Sequence, residues 1–376
     1  SIHLVQNILG GLTLDSDLEQ KILEKTSGNP FFIEEIVREL RDRREIKKAG
    51  GRYICNRPID QLQIPATVQS VLAARMDRLN EHLKRTMQLA SVIGRDFAFR
   101  ILITLTELED ELKDQLKRLV GLEILYEKVL YPELEYIFKH ALTQEVAYDS
   151  LLKQKRKEIH ERVGQAIEEL YADRVEEYYE LLVHHYGRSR NAHKAIEYLI
   201  LAGEKSKKNK AAHAACEFYG KVFEVAKNAN VSLDPETEVR VLQGLAASNH
   251  DIGDINTAME EYKKAIKICR EEDFVAREMD ILAELAWTMW FTPIKSMKDE
   301  VIYFYEEAIA RAREVGNQAV ESRILSVQGF YRSLLGDRYE GNEMIIDAER
   351  IASKTGDPRA ISFTRFQRAT SERWLG

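Results

Sequence analysis

Hydrophobic residues recur every three or four positions along most of the chain, which predicts amphipathic helices with one buried face. The stretch FKHALTQEVAYDSLL, Phe138–Leu152, shows this spacing, and we expect a helix that begins near Lys139 and continues well past Leu152. His140 would lie in its first turn, where free backbone N–H groups and the helix dipole favour an anion. Taken alone, a histidine in such a place is more often structural than functional.

The first 60 residues predict two helices separated by a sharp break. An apolar stripe predicts the first helix over residues 15–27, and Gly28, Asn29 and Pro30 end it. Proline suits the first position of the next helix, where its missing N–H has no cost. That helix is expected from about Phe31 to Lys47, with Ala49–Gly51 ending it and residues 52–58 as an extended connector. Its buried face would comprise Phe32, Ile33, Ile36, Val37 and Leu40.

Residues 64–138 predict a small winged-helix-like unit. Helices are expected over residues 67–79, 81–93 and 107–121, with a short helix after Asp96 and Gly94 as the C-cap of the second. Leu122–Tyr126 and Leu134–Phe138 alternate as strands and predict one hairpin, with Pro132 near its turn.

A winged helix raises the possibility of DNA binding, and the charges oppose it. The helix before the wing should read DNA, yet residues 107–121 carry five acidic side chains against three basic ones. An acidic face repels phosphate, which supplies most non-specific affinity for nucleic acid.

From about residue 193 the chain repeats itself. Ala215, Tyr219 and Val222 recur as Ala258, Tyr262 and Ala265, then as Val301, Tyr305 and Ala308, and last as Gly341, Ile345 and Ala348. Small residues precede these sets where a partner helix must approach closely, at Gly203, Ala246 and Gly329. The pattern resembles the tetratricopeptide repeat with longer helices. It predicts paired antiparallel helices over residues 193–360, with the three tyrosines in inter-helix packing and a concave surface that binds peptides or proteins. In the third copy the first helix carries Trp287 and Trp290, and residues 291–296 lengthen the turn.

Composition narrows the class of protein. The 376 residues, 44% apolar and 31% charged, suit two or three globular domains. We see no membrane helix and no signal peptide, and the lack of an initiator methionine suggests part of a longer chain. Three widely spaced cysteines favour a reduced, cytoplasmic setting and oppose a zinc or disulfide framework. The net charge of −7 gives no general reason to expect nucleic acid.

Two motifs, GNPFFIEE at residues 28–35 and the His140 stretch, together resemble the STAND class of signalling ATPases, in the branch fused to nucleotide cyclases and kinases. The resemblance covers about residues 15–165. It implies that the Gly-x-Pro turn opens a helical lid whose proline packs on adenine, and that a histidine early in the last winged-helix helix meets the β-phosphate of ADP. Those roles would map onto Pro30 and His140, with Gly28 and Asn29 beside them. This chain has Phe138, Lys139 and His140 where the best-known animal and plant members have Met-His-Asp.

No G-x-x-x-x-G-K-[ST] loop occurs, and we find neither a catalytic constellation nor a metal site, so this chain is not expected to be an enzyme by itself. The resemblance implies an ATPase core before residue 1 that binds ADP or ATP with magnesium, and an output domain such as a cyclase, a kinase or a transcriptional regulator.

The fold class expected is mainly α: a helical lid segment (1–60), a winged-helix-like domain with one small β-hairpin (61–170) and a tetratricopeptide-like solenoid (171–376). The predicted function is that of a regulatory and sensor part of a STAND-type ATPase, which closes on ADP and binds a protein partner through its repeats. The alternative is a constitutive interaction scaffold without nucleotide switching. Nucleotide dependence of partner binding separates the two.

Overall fold

The computed structural model of the chain describes residues 5–6, 8–62, 64–106, 109–129, 133–291 and 298–375. Across these residues the chain is mainly α-helical, as the sequence predicts, with 18 α-helices and six short strands. It divides into two compact units, residues 1–175 with 188–190, and residues 176–187 with 191–376. None of the described helices is long and apolar enough to cross a membrane.

The first unit combines eight helices with two three-stranded sheets in its described residues. The helices are α1 (Ser16–Thr26), α2 (Pro30–Asp42), α3 (Val68–Asp77), α4 (Glu81–Ile93), α5 (Phe99–Thr106), α6 (Glu109–Gly121), α7 (Ala141–Asp149) and α8 (Lys153–Leu170). The strands are β1 (Thr13–Leu14), β2 (Ile46–Ala49), β3 (Arg52–Cys55), β4 (Asp96–Ala98), β5 (Leu125–Val129) and β6 (Glu135–Phe138).

The first sheet, in the order β1-β3-β2, corrects the prediction for residues 43–58. Helix α2 ends at Asp42, not at Lys47, and the expected extended connector contains strand β3. Ala49 pairs with Arg52 across a two-residue loop, Gly50 and Gly51, both with positive φ. A Gly-Gly pair between two short runs can turn a tight hairpin as well as end a helix, and here it turns the hairpin.

The second sheet, β4-β6-β5, contains the predicted hairpin. Its strands lie at 125–129 and 135–138, shifted from the predicted 122–126 and 134–138. A third strand, β4, joins them just before α5 and was not predicted. Helix α4 and its C-cap Gly94 match the prediction, whereas Pro132 and residues 107 and 108 lie outside the described residues.

The long helix expected from Lys139 past Leu152 is wrong. Phe138 belongs to strand β6, where it pairs with Leu125, and α7 covers only Ala141–Asp149. Leu152 has extended backbone angles, φ −61° and ψ 143°, and occupies the N-cap position of a separate helix, α8. Helical spacing of apolar residues continues through this break because both helices bury a face of the same unit, so periodicity alone did not reveal it.

The second unit is an array of paired helices. After α9 (Tyr179–Tyr186), its helices are α10 (Ala192–Lys208), α11 (Ala212–Ala229), α12 (Pro235–Ile252), α13 (Ile255–Glu271), α14 (Val275–Met289), α15 (Lys298–Glu314), α16 (Gln318–Leu335), α17 (Arg338–Thr355) and α18 (Pro358–Leu375). Each helix packs on the next, and α10 also contacts α12, as α12 contacts α14. The long turn predicted after Phe291 lies outside the described residues.

The repeated positions predicted from the sequence are all buried. Tyr219, Tyr262 and Tyr305 are at most 2% exposed, and the small or branched residues three and four positions away from them are equally enclosed. Gly203 and Gly244 contact the Tyr219 ring so closely that an added Cβ would lie 2.9 Å and 2.4 Å from its Cζ atom. The tyrosines therefore pack between helices, as predicted, and glycine is required beside the first of them.

Replacing the fully buried Ala265 with leucine should destabilise the array by roughly 1–3 kcal/mol, because inserted methylenes force neighbours out of a close-packed core. The free energy of unfolding in urea measures this. The matched control is Ala276→Leu on exposed helix surface, which should change it by less than ~0.5 kcal/mol. Equal effects for the two variants would contradict the repeat register.

Candidate functional site

The turn between α1 and α2 is built by three consecutive residues. Ser27 and Gly28 take positive φ values of 48° and 76°, which reverse the chain after α1. Asn29 then caps α2, because its side-chain oxygen accepts hydrogen bonds from the backbone N–H groups of Phe31 (3.1 Å) and Phe32 (3.2 Å). Pro30 occupies the first helical position, as predicted.

His140 lies next to this turn. It is the residue immediately before α7, with extended backbone angles, and so is not within the first turn that the sequence predicted. Its ring packs on Phe31, with 4.0 Å between ring centroids and 34° between ring planes. Its Nε2 atom is buried and has no hydrogen-bond partner among the described residues. Two motifs more than 100 residues apart thus meet at one point.

The surroundings of His140 keep its imidazole neutral. Burial lowers its pKa, and the positive charges of Lys139, Arg38 and Arg75 lower it further, while Glu34 acts in the opposite direction. A neutral imidazole can donate one hydrogen bond and accept another, so the buried Nε2 can bind either kind of group. A buried polar atom without a partner is uncommon in folded proteins.

Alternating charges join α2 to the wing beside His140. Arg38 contacts both Glu34 (2.9 Å) and Glu123 (2.7 Å), and Lys139 contacts the same two carboxylates at 3.1 Å and 2.7 Å. Glu34 and Arg38 belong to α2, Glu123 precedes β5, and Lys139 follows β6. The four residues form a closed ring of ion pairs, which we call the Glu34–Lys139 cluster.

The cluster shifts the pKa values of its carboxyl groups. Hydrogen bonds from Lys139 and Arg38 lower the pKa of Glu123 to about 2. At Glu34 burial acts to raise the pKa, but Lys139 and Arg38 outweigh it and the net shift is downward. Both groups are therefore ionised throughout the neutral range, and the cluster keeps all four charges.

Two further carboxylates of α2 are almost completely buried, Glu35 at 3% and Glu39 at 4% exposure. Arg75 of α3 donates to both oxygens of Glu35, at 2.9 Å and 3.2 Å, and also to the backbone oxygen of Leu122. Arg78, just past the end of α3, forms a two-pronged contact with Glu39. Buried charges are stable only when paired in this way, so these contacts fix α2 on α3.

The predicted site residues are thus placed as follows. Gly28, Asn29 and Pro30 form one turn, and His140 reaches it through Phe31. Sequence reasoning missed the partners Arg38, Glu123 and Arg75, and it expected only apolar burial on α2. Paired Glu34 and Glu35 inside an amphipathic helix, with arginines three residues apart at 75 and 78, were the available signal.

Comparisons with known proteins return one family model and several solved structures. A family described as "Domain of unknown function (DUF8739)" matches residues 1–53, and no curated protein matches the sequence significantly. Among solved structures, the STAND protein with a tetratricopeptide repeat sensor from Pyrococcus horikoshii is 13% identical, with 98% of this chain and 62% of that chain covered and a TM-score of 0.39. The apo form of RapI is 13% identical over 78% of this chain and 71% of its own, with a TM-score of 0.42.

A third structure, a Rap protein complexed with Competence and Sporulation Factor, is 10% identical over 100% of this chain and 99% of its own, with a TM-score of 0.33. The chain spans less than two thirds of the length of the Pyrococcus structure.

Replacing Glu123 with glutamine should destabilise the first unit at neutral pH by about 0.5–1 kcal/mol, the range for partly exposed ion pairs. The contribution of a carboxyl group with a lowered pKa is complete above its usual value of 4.5 and is lost as the pH falls towards about 2. Urea unfolding at pH 7, 5 and 3 should therefore show a difference between parent and variant that shrinks below pH 5.

The control for this series is Asp114→Asn, which removes an exposed contact to Lys117 of 3.7 Å. At pH 7 this variant should lower the free energy of unfolding by less than Glu123→Gln does. A Glu123→Gln difference that stays constant down to pH 3 would show that charge pairing at the wing does not stabilise the unit.

Proposed function

We propose that this chain is the regulatory and sensor part of a STAND-type ATPase. The lid helix α2 and the winged-helix-like unit would close on ADP held by an ATPase core upstream of residue 1 in the same polypeptide. The repeat array would bind a protein partner and release that closed state. The chain itself would not hydrolyse ATP, because the phosphate-binding loop and a magnesium ligand would come from the core.

The observation that carries this proposal is the buried, unpartnered Nε2 of His140 beside the Asn29–Pro30 turn. A buried imidazole nitrogen without a partner suits a group that accepts a hydrogen bond, such as a phosphate oxygen. His140 would donate to that phosphate, and Pro30, rigid at the start of α2, would cover the adenine.

The contacts of α2 explain how the lid helix and the winged-helix-like unit could close on the nucleotide together. Because the Glu34–Lys139 cluster and the buried Glu35 and Glu39 tie α2 to the winged-helix-like unit, these parts would move as one body. A ligand that touches both Pro30 and His140 would then stabilise this one arrangement. A ligand shifts a conformational equilibrium only by its difference in affinity for the two states.

The alternative function is that of a constitutive scaffold, which would bind a partner through the same repeat surface without nucleotide switching. A stacked helical array offers an extended concave surface whether or not a nucleotide is bound. In that reading His140 is a packing partner of Phe31 and nothing more. The two functions differ in one measurable respect, since only the switch makes partner binding depend on nucleotide.

The test uses a protein extended upstream to include the core. In it, His140→Ala should weaken ADP binding by about one charge-assisted hydrogen bond, ~1.5–3 kcal/mol, which is roughly a tenfold to hundredfold loss of affinity. Isothermal titration calorimetry of ADP into parent and variant measures this. Limited proteolysis around residues 165–195 reports whether the closed state becomes less populated.

His82→Ala is the matched control, because His82 is an exposed histidine on α4 of the same unit. Both variants should first be shown to have the parental free energy of unfolding in urea within ~1 kcal/mol. Unchanged ADP affinity and unchanged protection in His140→Ala would leave the passive scaffold as the better account.

A further inference from the structure

A groove of about 490 Å³ crosses the first three helix pairs of the second unit. The first helix of each pair lines it: α10, α12 and α14. The side chains that matter for its charge are Glu204, Lys207, Lys208, Arg240 and Arg277. Four cations thus face one carboxylate, in a chain whose net charge is −7.

The four basic side chains differ in whether a carboxylate of the chain lies close to them. Arg240 is held by Glu204 through two hydrogen bonds of 2.7 Å and 2.8 Å, and Lys208 lies 3.7 Å from Glu176. Lys207 and Arg277 have no carboxylate within 4.0 Å in the described part of the chain. Arg277 donates to Gln243 at 3.3 Å, and Gln243 in turn donates to Glu284 at 3.1 Å. Lys207 and Arg277 are therefore free to pair with a ligand.

The floor of the groove is rigid. Tyr219 is buried between Gly203 and Gly244, whose missing side chains leave just enough room for its ring. Glycine at these positions brings α10, α11 and α12 close together and leaves the basic side chains along the rim. A rigid floor lowers the entropy that a ligand-binding surface loses on binding.

We infer that this groove binds an acidic, extended peptide segment of a protein partner. The inference rests on the proposed role of the repeats in partner binding and specifies the chemistry of that partner. Carboxylates spaced along the peptide would pair with Lys207 on α10 and with Arg277 on α14. Arg240 lies on α12 between them, and its N–H groups that do not contact Glu204 would remain available to the peptide.

The size of the groove favours a peptide over a small anion. Packed helices lie about 8–10 Å apart, so three helices span roughly 20 Å, which an extended chain covers in about six residues at ~3.3 Å each. Nucleic acid fits less well, because single strands bind by stacking bases on aromatic side chains as well as by charge. Tyr219 is the one aromatic residue that lines the groove within the described chain, and its ring is buried between glycines.

The test is fluorescence anisotropy with a labelled peptide of six glutamates, titrated with the full chain in low salt. Lys207→Gln/Arg277→Gln should bind at least about tenfold more weakly than the parent, because two charge pairs with the peptide are lost. Lys227→Gln/Lys267→Gln is the matched control. It removes the same charge from exposed positions on α11 and α13, the second helices of their pairs, and should bind like the parent.

Two further comparisons test whether binding depends on charge. Lys207→Arg/Arg277→Lys keeps both charges and should retain binding, and raising the salt from 0.05 M to 0.5 M should weaken the parent's binding by screening. A six-glutamine peptide should not bind. Equal losses in the groove variant and the control variant, or tighter binding of a six-thymidine oligonucleotide than of the acidic peptide, would overturn the inference.

The assay contains no nucleotide, so its outcome is independent of the switch. Failure here would remove the acidic peptide as the ligand and leave the His140 experiment unaffected. Failure of the His140 experiment would remove the switch and leave the groove.

Discussion

The pairing of two buried carboxylates on α2 is the constraint on which the first unit depends. Glu35 and Glu39 are almost wholly removed from water, and a buried charge left alone would cost several kcal/mol, on the order of 3–5 when one partner is lost. Arg75 and Arg78 meet that demand and hold α2 against α3. With α2 held there, Phe31 at its N-terminal end packs on His140, and the Glu34–Lys139 cluster joins the same helix to the wing.

Much of this architecture follows from the sequence, and the exceptions have identifiable physical causes. The apolar face of α2, the helix α4 with its glycine cap and the repeat register were predicted because each depends on local periodicity or on a single residue type. The first sheet was missed because Gly50 and Gly51 end a helix as readily as they turn a hairpin. The long helix after Lys139 was wrong because two short helices of one unit keep the same apolar spacing across a break.

The candidate site was harder to predict, since it depends on contacts between residues distant in sequence. The turn at Gly28–Pro30 could be located from its residue types, and His140 from the resemblance of its stretch. Their contact through Phe31, and the charges that surround it, required the fold. The basic groove of the array could not be predicted from the sequence for the same reason. Each of Lys207, Arg240 and Arg277 is some 30 to 40 residues from the next, and they line one groove only because consecutive helix pairs stack.

The most direct test of the account is hydrogen exchange in a protein that carries both this chain and an upstream core. Residues 28–42 and 138–149 should exchange more slowly with ADP than with a non-hydrolysable ATP analogue, because in the closed state Pro30 and His140 would both contact the ADP held by the core. The repeat helix α13 should show no such difference. Identical exchange of both segments with the two nucleotides would contradict the switch and leave a chain that serves only as a scaffold.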